Sequence, residues 1–350
     1  MHFVSVFVNR LLLVLSPMLA IAAALLVGAG LIALVGVNPF AAYAILFNES
    51  LASYYGFGNT LTKMAPLLLT SLGVLVALKA GQFNIGGEGQ IYMGGLGSAI
   101  VGLSLRGLPA IVHVPLALLG GFLLGALWGL IPGYLKAVRG VNEVITTLLL
   151  NYIGQNLVSY LVSAPLKDPN APTPYSLAIA PSAQLPILLP QTQTHAGILI
   201  GLIAALALWI VFTQSSFGYR IETVGQNPIA ARYAGISVER TIMLVMALAG
   251  GLAGLAGCSE VLGLKYRLFE NFSPGYGFDA IAIAFLSRGS IPGVVLISLF
   301  FGALRAGANV MQRSAGVPVT VVYAIQGLTV LFIAISLVLE RRVVKPAPEA

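Results

Sequence analysis

Residues 61–105 read LTKMAPLLLT SLGVLVALKA GQFNIGGEGQ IYMGGLGSAI VGLSL. Two apolar runs, 61–78 and 90–105, flank a polar segment that is rich in glycine. A helix rises about 1.5 Å per residue, so about 20 apolar residues cross a hydrocarbon core of about 30 Å. The stretch therefore predicts two membrane helices joined by a break. Non-helical backbone at membrane depth is tolerated only where it is buried in protein or lines a cavity.

The whole chain has the composition of a membrane protein. Of its 350 residues only 8% are charged and 58% are hydrophobic, and the mean hydropathy is +0.95. So little charge cannot solvate a globular surface. The net charge of +7 is typical of cationic cytoplasmic loops, and we expect no nucleic-acid partner. A single cysteine, Cys258, and three scattered histidines exclude an intramolecular disulfide and lead us to expect neither a metal site nor a cofactor.

Further apolar runs predict an all-α polytopic fold with about ten transmembrane helices. The run at 11–36 is longer than the apolar part of a secretory signal, so it is taken as the first crossing. The others after the opening pair are 111–135, 144–162, 197–212, 242–262, 278–286, 291–308 and 317–339. Because 278–286 is too short to cross alone, nine crossings plus a re-entrant segment is the alternative.

Interrupted segments occur in corresponding places of the two halves of the chain. Residues 80–90 and 274–293 both combine glycine with short apolar helices, and the second contains proline. Such pairs are typical of inverted repeats with short broken or re-entrant helices. We therefore expect one transmembrane domain over 1–350, with five-helix halves at 1–163 and 197–345.

The distribution of cations predicts the orientation. With ten crossings and a cytoplasmic N-terminus, eleven of the 18 Lys and Arg residues lie inside: Arg10, Lys79, Lys136, Arg139, Arg220, Arg232, Arg240, Arg288, Arg341, Arg342 and Lys345. The positive-inside rule then places both termini in the cytoplasm. The proline-rich loop 164–196 and the segment 37–58 are expected outside, the latter along the membrane interface, and the loop 214–240 inside.

The fifth predicted helix carries a polar residue at every fourth position: Glu143, Thr147, Asn151, Gln155 and Ser159. Four residues turn a helix by about 400°, so these side chains share one broad face. Polar groups at membrane depth are costly and must find a partner or water. The face is either an interhelical hydrogen-bond seam or a water-lined path. Five polar positions in succession favour the path.

Two further polar clusters surround the breaks. Gln82, Asn84, Glu88, Gln90 and Tyr92 follow the second helix, and the stretch 274–279, which ends in Phe278 and Asp279, leads into another short helix. Broken helices mark transport sites. The expected substrate path is Asn84, Glu88, Gln90, Tyr92, Glu143, Thr147, Asn151, Gln155, Phe278 and Asp279. Low dielectric should leave Glu88 neutral or hydrogen-bonded, with the amides of Gly86 and Gly87 as expected donors.

Two glycine patterns predict close helix packing. Gly121, Gly125, Gly129 and Gly133 repeat every four residues, and Ala249, Gly250, Gly251, Gly254 and Gly257 form a similar set. Small residues let helix backbones approach one another in lipid. These glycines indicate a bundle and no particular function.

The loop 214–240 contains a short helix between two crossings. Asn227 and Pro228 suit its N-cap and first turn, and Gly235 can close it. With Arg220, Arg232 and Arg240 around it, the loop is either a contact for a soluble partner or a solvated connection.

Several of these stretches resemble one family. Ala230 and Ala231 followed by Gly235 resemble the Ala-Ala-x-x-x-Gly loop by which permease subunits of ATP-binding-cassette (ABC) importers contact their ATPase. Residues 225–238 are similar to permeases for simple sugars, branched-chain amino acids and nucleosides. Residues 80–90, 142–152, 254–263 and 277–282 are similar to the nucleoside (guanosine/purine) importer branch, and the resemblance covers about 10–340. Ile229 stands where the loop of the wider superfamily often carries an acidic residue.

The resemblance implies a transport subunit, not an enzyme. Its ATPase contact would comprise Gly225, Asn227, Ala230, Ala231, Arg232 and Gly235. The implied partners are an ABC ATPase subunit, a second, related but different permease and an extracytoplasmic substrate-binding lipoprotein that delivers ligand near the loop 164–196. The chain itself contains no Gly-Lys-Ser/Thr phosphate loop. Such a subunit lies in the cytoplasmic membrane.

The substrate class is argued from the polar residues. Nucleosides are neutral, which suits amides such as Asn84, Asn151 and Gln155 together with stacking on Tyr92 or Phe278. The same chemistry admits a monosaccharide. A stand-alone secondary transporter, with Glu88, Glu143 and Asp279 binding a coupling ion, is a further alternative. An integral-membrane enzyme is another, but no His cluster or Ser/His pairing supports it.

Overall fold

The computed structural model describes residues 19–343, whose regular secondary structure is helical, with no β-strand beyond isolated bridges. The helices are α1 Leu19–Leu34, α2 Pro39–Phe47, α3 Tyr54–Lys79, α4 Gly87–Ser104, α5 Ala110–Arg139, α6 Glu143–Ser163, α7 Gly197–Gln214, α8 Ser216–Gln226, α9 Pro228–Tyr233, α10 Val238–Glu260, α11 Tyr276–Leu286, α12 Ile291–Ala315 and α13 Val319–Val343. π-helical turns Asn48–Ala52 and Val261–Lys265 follow α2 and α10, and Pro181–Ala183 is a 3₁₀ turn.

Within the described residues, five helices are long and apolar enough to cross a membrane. They are α3, α5, α7, α10 with its π-helical extension, and α12. A sixth span is possible if α1 and the bent segment Pro39–Ala52, which meet at 118°, form one crossing. The expectation of an all-helical multi-pass membrane protein is confirmed. The count of ten and the inverted halves stay predictions, and residues 11–18 of the first predicted crossing lie outside the described residues.

The chain divides into two compact units. The smaller combines the described parts of Met1–Thr60 and Ala303–Ala350, and the larger is Leu61–Gly302. In the smaller unit, the Tyr43 hydroxyl donates to the carbonyl of Leu25 at 2.7 Å. The predicted interfacial segment 37–58 is helical for most of its length. Asn38 explains this locally, because its Oδ1 accepts from the backbone of Phe40 at 3.0 Å and caps α2.

The larger unit is built around close contacts between α4, α5 and α10. A Cβ placed on Gly125 would lie 2.8 Å from the Cα of Gly254, and one on Gly129 would lie 3.0 Å from the Cα of Gly250. A Cβ on Gly121 would lie 2.7 Å from the carbonyl oxygen of Gly94. No side chain fits at these crossings. The packing predicted from the two glycine patterns is therefore confirmed, and it places both α4 and α10 against α5.

The proline-rich loop between α6 and α7 is held by backbone hydrogen bonds to the end of α10 and the segment after it. Ser176 donates to Leu268 at 2.9 Å and Leu185 to Leu262 at 2.9 Å, while Ala180 donates to Gly102 at the end of α4 at 2.9 Å. The loop therefore packs over one end of the larger unit.

Candidate functional site

The break between α3 and α4 is shaped by its own amide side chains. Gly81 has φ +70°, a conformation that favours glycine. Asn84 Oδ1 accepts from the backbone of Gly86 at 2.9 Å, and Asn84 Nδ2 donates to Gln90 Oε1 at 3.1 Å. Both amides are buried. They stabilise a non-helical turn in the interior of the unit.

Helix α6 clamps this break from the side. Asn151 Nδ2 donates to the carbonyl of Ile85 at 2.9 Å, and Asn151 Oδ1 accepts from the amide of Gly89 at 2.7 Å. Thr147 Oγ1 accepts from the amide of Ile85 at 3.3 Å. Thr147 and Asn151 are buried. In this conformation these two residues form an interhelical hydrogen-bond seam.

The other members of the polar face on α6 lie towards its ends. Glu143 pairs with Lys136 at 2.7 Å, across the turn between α5 and α6. Gln155 is partly buried, and Ser159 Oγ donates to Glu270 Oε1 at 2.8 Å. Along α6 the polar face therefore forms an ion pair at the start of the helix, the hydrogen-bond seam in the middle and a second polar contact near the end.

A second broken segment lies along α4. The chain is non-helical before α11, and the Phe272 ring contacts the Tyr92 ring with centroids 4.7 Å apart and planes tilted by 47°. Farther along, the amide of Gly277 in the first turn of α11 donates to Glu88 Oε2 at 2.7 Å. A Cβ placed on Gly87 would lie 3.4 Å from the Cα of Gly277. The two broken segments therefore meet at Glu88.

The donor to Glu88 differs in part from the expectation. Glycine amides were expected, and a glycine amide is found, but it belongs to Gly277 on the other broken segment. The amide of Gly86 donates to Asn84 instead. No sequence signal connects Glu88 with a residue 189 positions away.

Six of the ten residues expected along the path lie together in the interior. These are Asn84, Glu88, Gln90, Tyr92, Thr147 and Asn151, all buried. Glu143 lies at the end of α6, Gln155 and Asp279 are partly exposed, and Phe278 is 43% exposed. The structure thus brings the first two sequence clusters into one buried network and leaves Phe278 at its edge.

The short helix predicted in the loop 214–240 is present as α9. Asn227 Oδ1 accepts from the amides of Ile229 and Ala230, both at 3.0 Å, and Gly235 ends the helix with φ +77°. Its outer surface is open, because Ile229 is 67% exposed and Tyr233 is 91% exposed. Ala231, by contrast, is fully buried against its own chain.

Helix α8, which the sequence reading did not identify, connects α9 to the break. Ser215 Oγ accepts from the amide of Gly218 at 3.1 Å and caps it, a serine signal that could have revealed the helix. Glu222 on α8 forms an ion pair with Lys79, the last residue of α3, at 2.5 Å. A Cβ on Gly225 would lie 3.0 Å from the carbonyl carbon of Ala80. The segment that precedes α9 therefore packs directly on the chain entering the break.

Apolar spanning helices, an interior broken segment and a short exposed helix linked to it through α8 indicate a membrane transport subunit. The family comparison agrees. Residues 56–334 match the model of the family described as branched-chain amino acid transport system / permease component. The chain belongs to this family and is a permease subunit of an ABC importer, not an enzyme.

Individual relatives align over nearly the whole chain. The glucose ABC transporter permease protein TsgB13 of Haloferax volcanii is 38% identical over 92% of this chain and 87% of its own. The guanosine ABC transporter permease protein NupP of Bacillus subtilis is 37% identical over 94% and 95%. The nucleoside ABC transporter permease protein NupB of Lactococcus lactis subsp. cremoris is 35% identical over 95% and 93%. Permeases of this kind act with an ATPase and a substrate-binding protein, in the cell membrane.

Proposed function

We propose that this permease carries nucleosides across the cytoplasmic membrane by alternating access, driven by a separate ATPase. It would cross about ten times in two inverted five-helix halves, 1–163 and 197–345, with both termini in the cytoplasm. The observation that carries the proposal is the contact of α8 with the chain entering the break, through Lys79 and Glu222. This contact offers a direct route from an ATPase on α9 to the interior network.

The proposed path uses the network itself. Asn84, Gln90 and Asn151 offer neutral amide donors and acceptors, and Tyr92 with Phe272 supplies an aromatic surface. Neutral hydrogen-bonding groups with an aromatic face suit a nucleoside. In the present conformation these groups bond to one another and to the backbone. Movement of α8 would have to loosen the bonds to Ile85 and Gly89 before a substrate could replace them.

The partners follow from the same arrangement. The ATPase would dock on α9 through Ala230, Arg232 and the exposed Ile229 and Tyr233, with Gly225, Asn227, Ala231 and Gly235 fixing the shape of the segment. A second, different permease would complete the pathway. A substrate-binding lipoprotein would deliver ligand at the end covered by the loop 164–196.

The docking role is tested best at Ala230. Ala231 is buried, so a glutamate there would disturb α9 itself, whereas Ala230 is exposed. We expect Ala230→Glu to insert and fold normally but to lose substrate-stimulated ATP hydrolysis in the reconstituted importer. Gln214→Glu, at the exposed end of α7, is the matched control, because it also adds a carboxylate but lies outside α9 and the segment after it. Normal coupled hydrolysis by Ala230→Glu would contradict the docking role.

A monosaccharide permease is the second candidate, because the glucose permease TsgB13 is 38% identical to this chain. Competition separates the two candidates. With the complete importer in proteoliposomes, we expect unlabelled guanosine or uridine to suppress uptake of labelled nucleoside, and glucose or ribose to have no effect. Uptake of labelled sugar that nucleosides fail to suppress would favour the monosaccharide permease.

A further inference from the structure

A polar cavity of about 400 Å³ lies at the base of α10, beside the segment joining α9 to α10. Its lining includes Arg220 on α8 and Arg240 in the first turn of α10, together with Phe217 and Leu244. The backbone of Gly235 also contributes to its wall. None of the residues that line the cavity belongs to the buried network at the break.

The two arginines carry uncompensated charge. Neither guanidinium forms an ion pair or a side-chain hydrogen bond with any residue in the range 19–343. The neighbouring carboxylates are already engaged: Glu239 pairs with Arg232 at 2.5 Å and Glu222 with Lys79 at 2.5 Å. Two unpaired cations facing one cavity favour an anionic ligand there.

The lining of the cavity also changes from charged to apolar along α10. Arg240 and Leu244 are four residues apart, so they lie one above the other on the same face of the helix. Leu244 is 56% exposed and belongs to a membrane span, whereas Arg240 stands at its end. A ligand that fills the cavity meets charge at one end and hydrocarbon at the other. This is the order of polarity in a phospholipid.

We infer that this cavity binds the phosphate headgroup of an anionic phospholipid, with an acyl chain against Phe217 and Leu244. The inference rests on the proposed orientation, which places the cavity at the cytoplasmic face, where basic pockets between helices hold anionic headgroups. Because Gly235 and Ile236 line the same cavity, the bound lipid would brace the connection between α9 and α10.

Native mass spectrometry of the full-length permease titrated with phosphatidylglycerol tests the inference. Each basic residue near an anionic lipid contributes about 1 kcal/mol, so Arg220→Gln or Arg240→Gln should weaken binding about 5-fold and the double variant about 30-fold. Replacing both arginines by lysine should keep most of the affinity. Arg139→Gln, which removes an exposed cation at the end of α5, is the matched control and should bind like the wild type.

Titrations with other ligands distinguish a lipid headgroup from a soluble phosphate as the bound anion. We expect phosphatidylcholine to bind weakly, and neither inorganic phosphate nor glycerol phosphate to displace phosphatidylglycerol. Equal phosphatidylglycerol affinity in the wild type and the folded double variant would overturn the inference, as would displacement by soluble phosphate. If the double variant bound phosphatidylglycerol like the wild type but no longer bound the ATPase, the inference would be overturned and the arginines would be assigned to a carboxylate of the ATPase. The readout needs neither substrate nor ATP, so its failure leaves the proposed transport function standing.

Discussion

The ammonium nitrogen of Lys79 lies 2.5 Å from Oε1 of Glu222, although 143 positions separate the two residues in the chain. The same nitrogen lies 4.7 Å from the centre of the Phe212 ring on α7. One cation therefore joins the end of α3, the end of α7 and α8, the helix that leads to the proposed ATPase contact. Any displacement of α8 must either carry Lys79 with it or break this pair.

A charge swap tests the Lys79–Glu222 pair. Both side chains are partly exposed, so the pair itself contributes no more than about 1 kcal/mol to stability. We expect Lys79→Glu and Glu222→Lys each to lower ATP-driven uptake with little change in thermal stability. The double variant should recover most of the uptake, and a double-mutant cycle on uptake rates measures the recovery.

Comparison with a second ion pair distinguishes transmission of movement through Lys79 and Glu222 from a general effect of breaking an ion pair. Arg267→Asp combined with Asp168→Arg, a partly exposed pair remote from α8 and α9, is the comparison swap and should leave ATP-driven uptake unchanged. Single changes at Lys79 or Glu222 that leave uptake intact would show that the pair carries no coupling.

The close approach at Gly225 gives a second prediction. A Cβ at this position would lie 2.9 Å from the carbonyl carbon of Lys79, so Gly225→Ala must push α8 away from the break. Overpacking of this kind costs about 1–3 kcal/mol. We expect a lower unfolding temperature together with reduced coupled ATP hydrolysis. Gly30→Ala on α1, where a Cβ meets no described atom within 4 Å, should leave both unchanged.

The Asn151 clamp gives a third prediction. Asn151→Leu keeps the volume of the side chain but removes its hydrogen bonds to Ile85 and Gly89. At about 1 kcal/mol for each bond, we expect a loss of about 2 kcal/mol and a lower unfolding temperature in detergent. Asn156→Leu on the exposed side of the same helix should change stability by less than about 0.5 kcal/mol. Equal effects at the two positions would argue against the clamp.

The loop between α6 and α7 should respond to acid through His195. Burial lowers the pKa of His195 to about 4, and the positive charge of Lys63 acts in the same direction. The unfolded chain binds this proton near pH 6.5. The contribution of neutral His195 to the free energy of unfolding is therefore fully present above pH 6.5. It is lost as the pH drops towards 4, and the loss is about 3 kcal/mol at most.

Unfolding temperatures measured from pH 7.5 to pH 4 check this prediction. Asn can still accept from the amide of Gly197, which donates to Nδ1 of His195 at 3.1 Å, but it does not titrate. We expect His195→Asn to flatten the decline between pH 6.5 and 4. An equally steep decline in that variant would assign the acid sensitivity to other groups.

The sequence predicted local features better than long-range ones. The capped helix after Asn227, the short helix near Phe278 and the glycine contacts between α5 and α10 follow from signals within a few turns of chain. The bond from Gly277 to Glu88 and the pair between Lys79 and Glu222 join residues more than 140 positions apart, and no local pattern encodes either partner.

The same limit applies to the surroundings of the polar face on α6. Periodicity placed Thr147 and Asn151 on one face, which is where they lie, but periodicity cannot tell whether that face meets water or the backbone of another segment. The structure places Ile85 and Gly89 against it. Helix α8 was missed because its cap and amphipathic turns lie in a segment that polar composition alone assigns to a loop.

Uptake of guanosine into proteoliposomes that contain the complete importer, driven either by ATP or by an imposed proton or sodium gradient, tests the central claim most directly. We expect uptake only with ATP. Glu88→Gln should retain most of it at every pH, since an amide oxygen can still accept from Gly277. Uptake driven by an ion gradient without ATP, and lost in Glu88→Gln, would contradict the assignment and identify Glu88 as a coupling-ion site.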